Sequence, residues 1–370
     1  MKEIHRIVIT GGPCAGKTSA FARIEAELSE KGYKVFMVPE TFTEMYIGGI
    51  RLVDYLSINF QSKLLNLQVF KEEMYNDFAN LHPTDKVVIL YDRGVMDGVA
   101  YMDPQAAQEM FERNGYTDNA LKNRYDAVIH MVTAADGAEE AYIANKSNNK
   151  ARYEDVQQAI EADRALIAAW TGHPHLRIVD NSTDFNTKIS RVVKEIFAII
   201  GQPVPMEIEK KYLVAMPDFE YLKSVVKLSE SHIVQTYLCE DGCGVERRIR
   251  QRGKKGDCVY YYTEKQKVRD GVRIENERLI SEKEYLELLF ETDFRKKQIT
   301  KTRYCFVWNN MYFELDVYPS WDKWAILEIE LTEEKTIYDI EVPGFIDVIK
   351  DVTGNEAYSN YSLATRFPCA

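Results

Sequence analysis

The sequence predicts an α/β domain with a parallel sheet, followed by a mainly antiparallel, eight-stranded β tunnel domain. Three observations predict this order: strand and helix patterns alternate over the first 200 residues, a Pro- and Gly-rich break follows, and alternating polarity dominates the rest. The chain has 370 residues, more than a single hydrophobic core usually serves. We therefore expect domains at residues 1–200 and 207–370, joined by a linker at residues 201–206.

The first domain alternates short apolar runs with helical patterns. The runs rich in β-branched residues predict five strands, at Ile4–Thr10, Tyr33–Val38, Lys86–Asp92, Asp126–Val132 and Leu176–Asp180. The main helices are predicted at Thr18–Lys31, Tyr153–Trp170 and Phe185–Ile200. Strands that alternate with helices in this way are typical of βαβ units around a parallel sheet.

The boundary and the second domain differ in composition from the first. Gly201, Pro203 and Pro205 disfavour helix and strand alike, so the domain boundary is predicted there. From that point to about residue 331, aromatic and β-branched residues are dense and polarity alternates with a period of two. This pattern is typical of antiparallel sheet, and Glu282–Phe290 predicts one inserted helix.

Composition excludes several classes of function. A net charge of -11 argues against duplex DNA or an acidic membrane as a non-specific partner. No apolar run reaches membrane-spanning length, and the N-terminal residues lack the pattern of a secretory signal. The cysteines are Cys14, Cys239, Cys243, Cys258, Cys305 and Cys369. They show no paired zinc spacing, so the expected location is the reducing cytoplasm.

A complete P-loop motif follows the first predicted strand. It consists of Gly11, Gly12, Pro13, Cys14, Ala15, Gly16, Lys17 and Thr18, and a helix follows it. The glycines let successive backbone N–H groups wrap a phosphate, and the helix N-terminus adds its positive dipole end. Lys17 is expected to reach the β and γ phosphates, and the Thr18 hydroxyl to bind Mg²⁺. The motif predicts nucleoside triphosphate binding and leaves ATP and GTP as alternatives.

Further polar residues lie where other strands of this sheet end. Asp92 is a candidate to hold Mg²⁺, and Arg93 to clamp a phosphate. Glu40 follows the second strand, where it is expected to act as a base or bind a second substrate, or simply to lie on the surface. Arg152, in the segment Asn149–Arg152, is a candidate lid residue that neutralises phosphate charge, with a solvated loop as the alternative. Position alone suggests Asn181 and Thr183 as lining for a base pocket.

These N-terminal features together resemble the small kinase-like P-loop proteins, including relatives of nucleoside and nicotinamide-riboside kinases. The resemblance covers about the first 200 residues and depends chiefly on the P-loop, with Lys17, Asp92, Arg93 and the later Arg152 in support. It implies a P-loop NTPase or kinase-like domain of the AAA type. It does not name a phosphate acceptor.

The predicted strands of the second domain carry charged residues at alternating positions. The sets are Glu207, Glu209 and Lys211; Arg248, Arg250 and Arg252; Lys265 and Lys267; Arg273, Glu275 and Glu277; Lys301 and Arg303; Glu314 and Asp316; and Glu328 and Glu330. Apolar residues such as Ile249, Leu315 and Ile329 lie between them. One solvated face explains any single strand. A closed barrel of about eight strands with a charged lumen explains the whole set better.

The opening pattern Glu207-x-Glu209-x-Lys211 resembles that of the CYTH superfamily, the triphosphate tunnel metalloenzymes. The resemblance spans roughly residues 205–365 and includes the later charged strands. It implies that Glu207, Glu209, Glu328 and Glu330 bind Mg²⁺ or Mn²⁺, one ion of which activates water. It also implies a triphosphate-binding set of Lys211, Arg248, Arg250, Lys265, Lys301 and Arg303. Catalysis would rest on the four glutamates and Lys211.

The family includes thiamine, inorganic and RNA triphosphatases and a class of adenylate cyclases, and membership does not choose among their substrates. The combination of a P-loop domain with a CYTH domain is similar to a two-domain group that includes the animal TRPL translocation defect protein. Three hypotheses remain open: a metal-dependent triphosphatase, a nucleotide-switched module that binds a phosphorylated ligand such as a phosphoinositide, and a small-molecule kinase.

Overall fold

The chain forms two compact units, residues 1–200 and 201–370. A computed structural model describes residues 2–50, 57–146, 155–202, 206–239, 245–254, 256–269, 272–331 and 340–365. The predicted lid residue Arg152 and its neighbours lie outside these ranges, as does Tyr153, the predicted start of a helix. Within the described ranges, no helix is long and apolar enough to cross a membrane.

The N-terminal unit contains a five-stranded parallel sheet. Its strands are β1 (Glu3–Gly11), β2 (Lys34–Val38), β3 (Lys86–Asp92), β4 (Ala127–Met131) and β5 (Leu176–Val179), in the order β2-β3-β1-β4-β5. All neighbouring strands pair in parallel. The α/β prediction for this half is therefore confirmed. Because β1 lies at the centre, the loop that follows it meets the carboxyl ends of β3 and β4.

In the described part of this unit, helices accompany the sheet. They are α1 (Lys17–Glu30), α2 (Thr41–Ile47), α3 (Ile58–Leu81), α4 (Pro104–Asn114), α5 (Asp118–Lys122), α6 (Glu139–Lys146), α7 (Val156–Trp170) and α8 (Phe185–Ile199) within the described ranges, with a 3-10 turn at Asp97–Tyr101. Asp155 caps α7 through a capping box with Gln158. Apolar residues of α1 and α8, such as Ile24 and Val192, are fully buried against the sheet. The centre of β1 has no polar face, as expected for a strand covered on both sides.

The C-terminal unit contains a closed antiparallel barrel. Its strands are β6 (Met206–Ala215), β7 (Ser229–Tyr237), β8 (Glu246–Lys254), β9 (Asp257–Arg269), β10 (Val272–Ile280), β11 (Ile299–Trp308), β12 (Met311–Val317) and β13 (Trp324–Leu331). They pair in the order β10-β9-β8-β7-β11-β12-β13-β6, and β6 returns to β10, which closes the barrel. A short strand, β14 (Val348–Asp351), pairs with the other half of β6. The eight-stranded tunnel prediction is confirmed.

Apolar side chains pack on the outside of this barrel, and the short helices cover them. The helices are α9 (Phe219–Val225), α10 (Glu282–Leu288) and α11 (Asn360–Leu363). Leu222 of α9 and Tyr285 of α10 each join a buried outer cluster. The predicted helix Glu282–Phe290 is present as α10, which ends at Leu288, and a 3-10 turn follows it. Leu363 of α11 packs with Leu213 and Ile326, which lie on the lumen face at one end of the barrel.

Candidate functional sites

The P-loop has the geometry that its glycines predict. Gly11 has a φ of 146°, and a Cβ there would lie 2.1 Å from the carbonyl oxygen of Met131. Gly16 has a φ of 94° and is the N-cap of α1 without a side-chain cap. Lys17 begins the helix, and its ammonium donates to the carbonyl oxygen of Gly11 over 3.2 Å. The first turn of α1 thus faces the loop with backbone N–H groups available to an anion.

Two buried side chains from distant helices support this loop. Asp163 of α7 accepts from the backbone N–H of Gly12 at 2.7 Å and of Thr133 at 3.1 Å. Lys188 of α8 donates to the carbonyl oxygens of Ala15 at 3.2 Å and of Val132 at 2.6 Å. Burial lowers the pKa of Lys188 to about 8. These contacts fix the path of the P-loop in space.

Sequence reasoning missed Asp163 and Lys188. Their only signal was a polar residue on the otherwise apolar face of a helix, which does not by itself name a partner. Asn181 donates to the carbonyl oxygens of Thr133 and Asp136 at 2.7 and 2.6 Å, and Thr183 is exposed. Asn181 therefore joins two loops, and its role in a base pocket stays a prediction.

The structure brings Asp92, Arg93 and Glu40 together beside the P-loop. Asp92 ends β3 in register with Ile9 of β1. Arg93 has a φ of 68°, and its Nε lies 2.6 Å from Oε1 of Glu40. Asp97 lies 3.4 Å from Arg93 and accepts from the N–H of Gly94 at 2.6 Å. An arginine in the left-handed region, braced by two carboxylates, is a strained and well-fixed side chain.

The electrostatics of this cluster fit a cation at Asp92. Burial raises the pKa of Asp92, and its buried Oδ1 accepts no hydrogen bond. Burial and the neighbouring Arg93 together lower the pKa of Lys17. A buried carboxylate oxygen without a donor and the exposed Thr18 hydroxyl are hard oxygen ligands of the kind that Mg²⁺ takes. The donor chemistry thus fits the metal that the motif predicts.

In the barrel, strand register shows which charged residues share the lumen face. Glu328 pairs with Lys211, Glu330 with Glu209, and Arg273 with Glu207. Arg303 pairs with Asp316, and Glu275 with Lys265. Directly opposed residues of antiparallel strands project to the same face of the sheet. Arg248, Arg250 and Arg252 fall on that face through β7 and β9. The register therefore puts the charged residues of the tunnel prediction on one face of the sheet, although Lys267 and Glu330 are exposed.

Lumen charges of opposite sign are closely paired. Lys265 lies 2.7 Å from Glu207 and from Glu275. Lys211 contacts Glu328 at 2.8 Å and Glu209 at 3.5 Å. Three further pairs are Arg273 with Glu209 at 3.0 Å, Arg248 with Glu275 at 3.1 Å, and Arg303 with Glu328 at 2.7 Å. Arg250 pairs with Glu277, and Arg303 also pairs with Glu314.

The deepest pair involves Asp316, which sequence reasoning placed in the alternation but gave no role. Its carboxylate is fully buried and accepts from Lys301 and twice from Arg303, at 2.7 Å for each guanidinium contact. Burial and Arg303 lower the pKa of Lys301 to about 8, although Asp316 opposes them. For Lys211 burial also opposes the charge, yet Glu209 and Glu328 raise its pKa. The pKa values of two lysines in the same lumen are therefore shifted in opposite directions.

The metal prediction for the lumen stays a prediction. Among the described residues, no group of three or more His, Cys, Asp or Glu side chains converges as a metal site would. Glu207, Glu209 and Glu328 face lysine or arginine, and Glu330 is exposed. Carboxylate oxygens are nevertheless the donors that Mg²⁺ and Mn²⁺ prefer. Metal binding there would require these carboxylates to exchange partners.

The comparisons with known proteins fall on both halves of the chain. Residues 6–188 match a family described as an AAA domain. Among solved structures, the inorganic triphosphatase NE1496 is 28% identical over 44% of this chain and 97% of its own, with a TM-score of 0.31. PH1819 from Pyrococcus horikoshii OT3 is 21% identical over 36% and 82% of the chains, with a TM-score of 0.30.

A Hippeastrum protein, HpAC1, named as an adenylyl cyclase with a dominant triphosphatase activity, is 15% identical over 36% and 83% of the chains, with a TM-score of 0.28. No curated protein matches the chain in sequence. The chain thus combines an N-terminal unit similar to AAA domains with a closed, eight-stranded antiparallel barrel that has a charged lumen.

Proposed function

We propose that this chain binds a nucleoside triphosphate at its P-loop, and that its lumen binds and hydrolyses a triphosphate with a divalent metal. The observation that carries the proposal is the lumen itself. Lysine, arginine and glutamate side chains from all around the barrel share its inner face and pair with one another. Burying charges of both signs is costly, and replacing such pairs by apolar residues is often neutral or stabilising. A ligand that binds both the positive and the negative side chains explains why the lumen contains them.

A triphosphate complexed with metal is such a ligand. Its phosphate oxygens suit charge-assisted bonds from the cations Lys211, Arg248, Arg250, Lys265, Lys301 and Arg303. Its metal ions suit the carboxylates Glu207, Glu209, Glu328 and Glu330. Binding then exchanges internal ion pairs for bonds to the ligand, so no charge is left without a partner.

A bound divalent ion would polarise the phosphate and supply an activated water. The chain's own residues would do the rest. Arg303 and Lys211 would hold the phosphate chain in position against developing charge. Lys301, which Asp316 holds in place, would add a further cation to this set.

In the N-terminal unit, the P-loop would bind ATP or GTP with Mg²⁺ between Thr18 and Asp92. The support is the fixed loop geometry together with the orphan carboxylate oxygen of Asp92. The P-loop recognises phosphate and not the base, so the proposal leaves ATP and GTP as alternatives.

The test is release of phosphate from tripolyphosphate, thiamine triphosphate and nucleoside triphosphates, with and without Mg²⁺ or Mn²⁺. We expect metal-dependent turnover that falls by roughly 100-fold or more in Glu209→Ala, while nucleotide binding at the P-loop persists. Glu356→Gln, which alters an exposed glutamate of the same unit, is the matched control and keeps full activity. Absence of metal-dependent phosphate release from every triphosphate contradicts the proposal.

Two alternatives have specific support. The lumen carboxylates pair with cations rather than converge on a metal, which favours capture of a phosphorylated ligand without turnover, under nucleotide control. That reading agrees with the similarity to the TRPL translocation defect group. Separately, the fixed pair of Glu40 and Arg93 beside Lys17 favours phosphoryl transfer to a small acceptor. Transfer of label from the γ-phosphate, lost in Lys17→Ala, distinguishes the kinase from the other two.

A further inference from the structure

Helix α3 exposes a continuous line of large apolar side chains. The residues, with their exposed fractions, are Leu67 (40%), Phe70 (59%), Met74 (38%), Phe78 (52%) and Leu81 (80%). The opposite side of the same helix is buried in its own unit through residues such as Leu65 and Val69. The helix therefore has one face that packs and a second apolar face that meets solvent. Contiguous apolar patches of this kind mark interaction sites.

The spacing of the exposed residues is that of a helix-pairing seam. The steps along the line are three, four, four and three residues, and Leu67, Met74 and Leu81 recur every seven. Such a repeat keeps one stripe of a helix directed at a partner helix along its whole length. At 1.5 Å per residue the stripe is about 21 Å long. It therefore suits an extended helix better than a compact ligand.

The charged residues beside the stripe indicate which partner helix packs against it. Lys63 lies near its N-terminal end, and Glu73 and Asp77 lie in its C-terminal half, all of them exposed. A second copy of α3 in antiparallel orientation, centred near residue 72, sets Lys63 opposite Leu81 of the other copy and one helical turn from Asp77, within reach of a lysine side chain, at both ends. It also places Phe70 against Met74 of the other copy. A parallel pair would instead set each charge beside its own like, which is unfavourable.

The size of the face is adequate for a specific contact. The two phenylalanine side chains alone supply large apolar areas, since each aromatic ring buries roughly 150–250 Å² when fully covered. Two copies of the whole face would remove roughly 1,000 Å² from water, which is where specific interfaces begin. Because the same patch serves both copies, the contact closes on itself with two-fold symmetry.

We propose that the chain forms a symmetric dimer in which the exposed faces of two α3 helices pack antiparallel to each other. This inference is independent of the catalytic proposal, since α3 contributes its far side to the contact and neither phosphate site is involved. The occupant of the face is a second copy of this chain.

Sedimentation equilibrium of the full chain tests it. At about 50 μM, a dimer of micromolar affinity is mostly assembled, so the wild type should have the mass of two chains. Phe70→Asp should reduce that mass to one chain while the circular dichroism spectrum stays unchanged. Phe290→Asp is the matched control, because Phe290 is 90% exposed in the other unit, and it should leave the dimer intact. A wild type of single-chain mass, or a dimer that survives Phe70→Asp, overturns the proposal.

A charge exchange tests the antiparallel orientation without removing any apolar contact. Lys63→Glu alone and Asp77→Lys alone should each weaken the dimer by about tenfold, because each sets like charges together at both ends. Mixing the two variants should restore dimerisation, since the mixed pair has opposite charges at both ends. Failure of the mixture to associate more tightly than either variant overturns the antiparallel arrangement.

Discussion

The P-loop and the barrel lumen, the two proposed phosphate sites, are two different kinds of surface. The P-loop is eight consecutive residues, and in the proposed complex the backbone N–H groups of all but Pro13 are available to phosphate, with Lys17 as the principal cation. The lumen uses side chains from many strands, and those side chains already pair with one another. The P-loop is shaped by its backbone geometry, and the lumen is filled by ion pairs that the proposed ligand would have to exchange.

The difference affects how each site fails. A backbone cradle tolerates changes in side chains that do not support its path, because every residue except proline carries an N–H donor whatever its side chain. A lumen of buried ion pairs is sensitive to the loss of any one member, which leaves an uncompensated charge in a poorly solvated place. Substitutions made in parallel at the two sites therefore distinguish the contribution of backbone geometry from that of charge compensation.

The largest effect is expected at Asp316. Asp316→Ala leaves Lys301 without its fully buried partner, and Arg303 keeps only its partners Glu314 and Glu328, so the C-terminal unit should lose about 3–5 kcal/mol of unfolding free energy. Three of the four tryptophans, Trp308, Trp321 and Trp324, lie in that unit, so fluorescence during urea unfolding measures it. Glu356→Gln, in an exposed pair with Lys267, should cost less than about 1 kcal/mol. Equal losses in the two variants would contradict the distinction.

A smaller effect is expected at the P-loop support. Asp163→Ala leaves the N–H groups of Gly12 and Thr133 buried without their acceptor, at a cost of about 1–3 kcal/mol in the fixed loop. Nucleotide affinity, measured by isothermal titration, should fall by roughly 10- to 100-fold, and activity of the barrel should not change. Asp155→Ala removes the cap of the same helix and serves as control. If both variants bind nucleotide equally well, the loop does not depend on Asp163.

The smallest effect concerns pH and the two lysines of the lumen. The folded-state pKa of Lys301 is lowered to about 8, so between about pH 8 and 10 the unfolded chain holds more of its proton and stability rises with pH. This contribution should reach at most about 1.4 kcal/mol per pH unit. Lys301→Met should remove it, while Asp316 keeps Arg303 as a partner.

Lys211→Met is the matched comparison, because Glu209 and Glu328 raise the pKa of Lys211 and shift its contribution to higher pH. The difference in unfolding free energy between wild type and Lys211→Met should therefore stay constant from pH 8 to 9.5. A Lys301→Met curve parallel to that of the wild type, or a Lys211→Met difference that changes over this pH range, would contradict the corresponding pKa shift.

The contrast between the sites also explains what the sequence could predict. The P-loop is contiguous, so Gly11 to Thr18 predicted its geometry, and the ligand class that they indicate stays a prediction. The lumen was predictable because strand residues alternate strictly, which put Glu207, Glu209 and Lys211 on one face before any pairing was known. Both fold classes follow from periodicity in the same way.

The remainder depends on register and tertiary contact, which single-strand patterns do not contain. Asp163 and Lys188 reach the P-loop from helices more than 100 residues away. The pairing of Arg303 with both Asp316 and Glu328 requires strands β11, β12 and β13 to be in one specific register. The opposite pKa shifts of Lys301 and Lys211 follow from those partners, so no local pattern could have predicted them.

The central claim is that one chain carries two separate sites for a triphosphate. The most direct test is the number of molecules of a non-hydrolysable tripolyphosphate analogue bound per chain, measured by titration calorimetry with Mg²⁺. We expect two per chain for the wild type, one for Lys17→Ala and one for Lys211→Met, in which Glu209 and Glu328 keep Arg273 and Arg303 as partners. A wild type that binds one molecule, or a stoichiometry that neither substitution changes, would contradict the account.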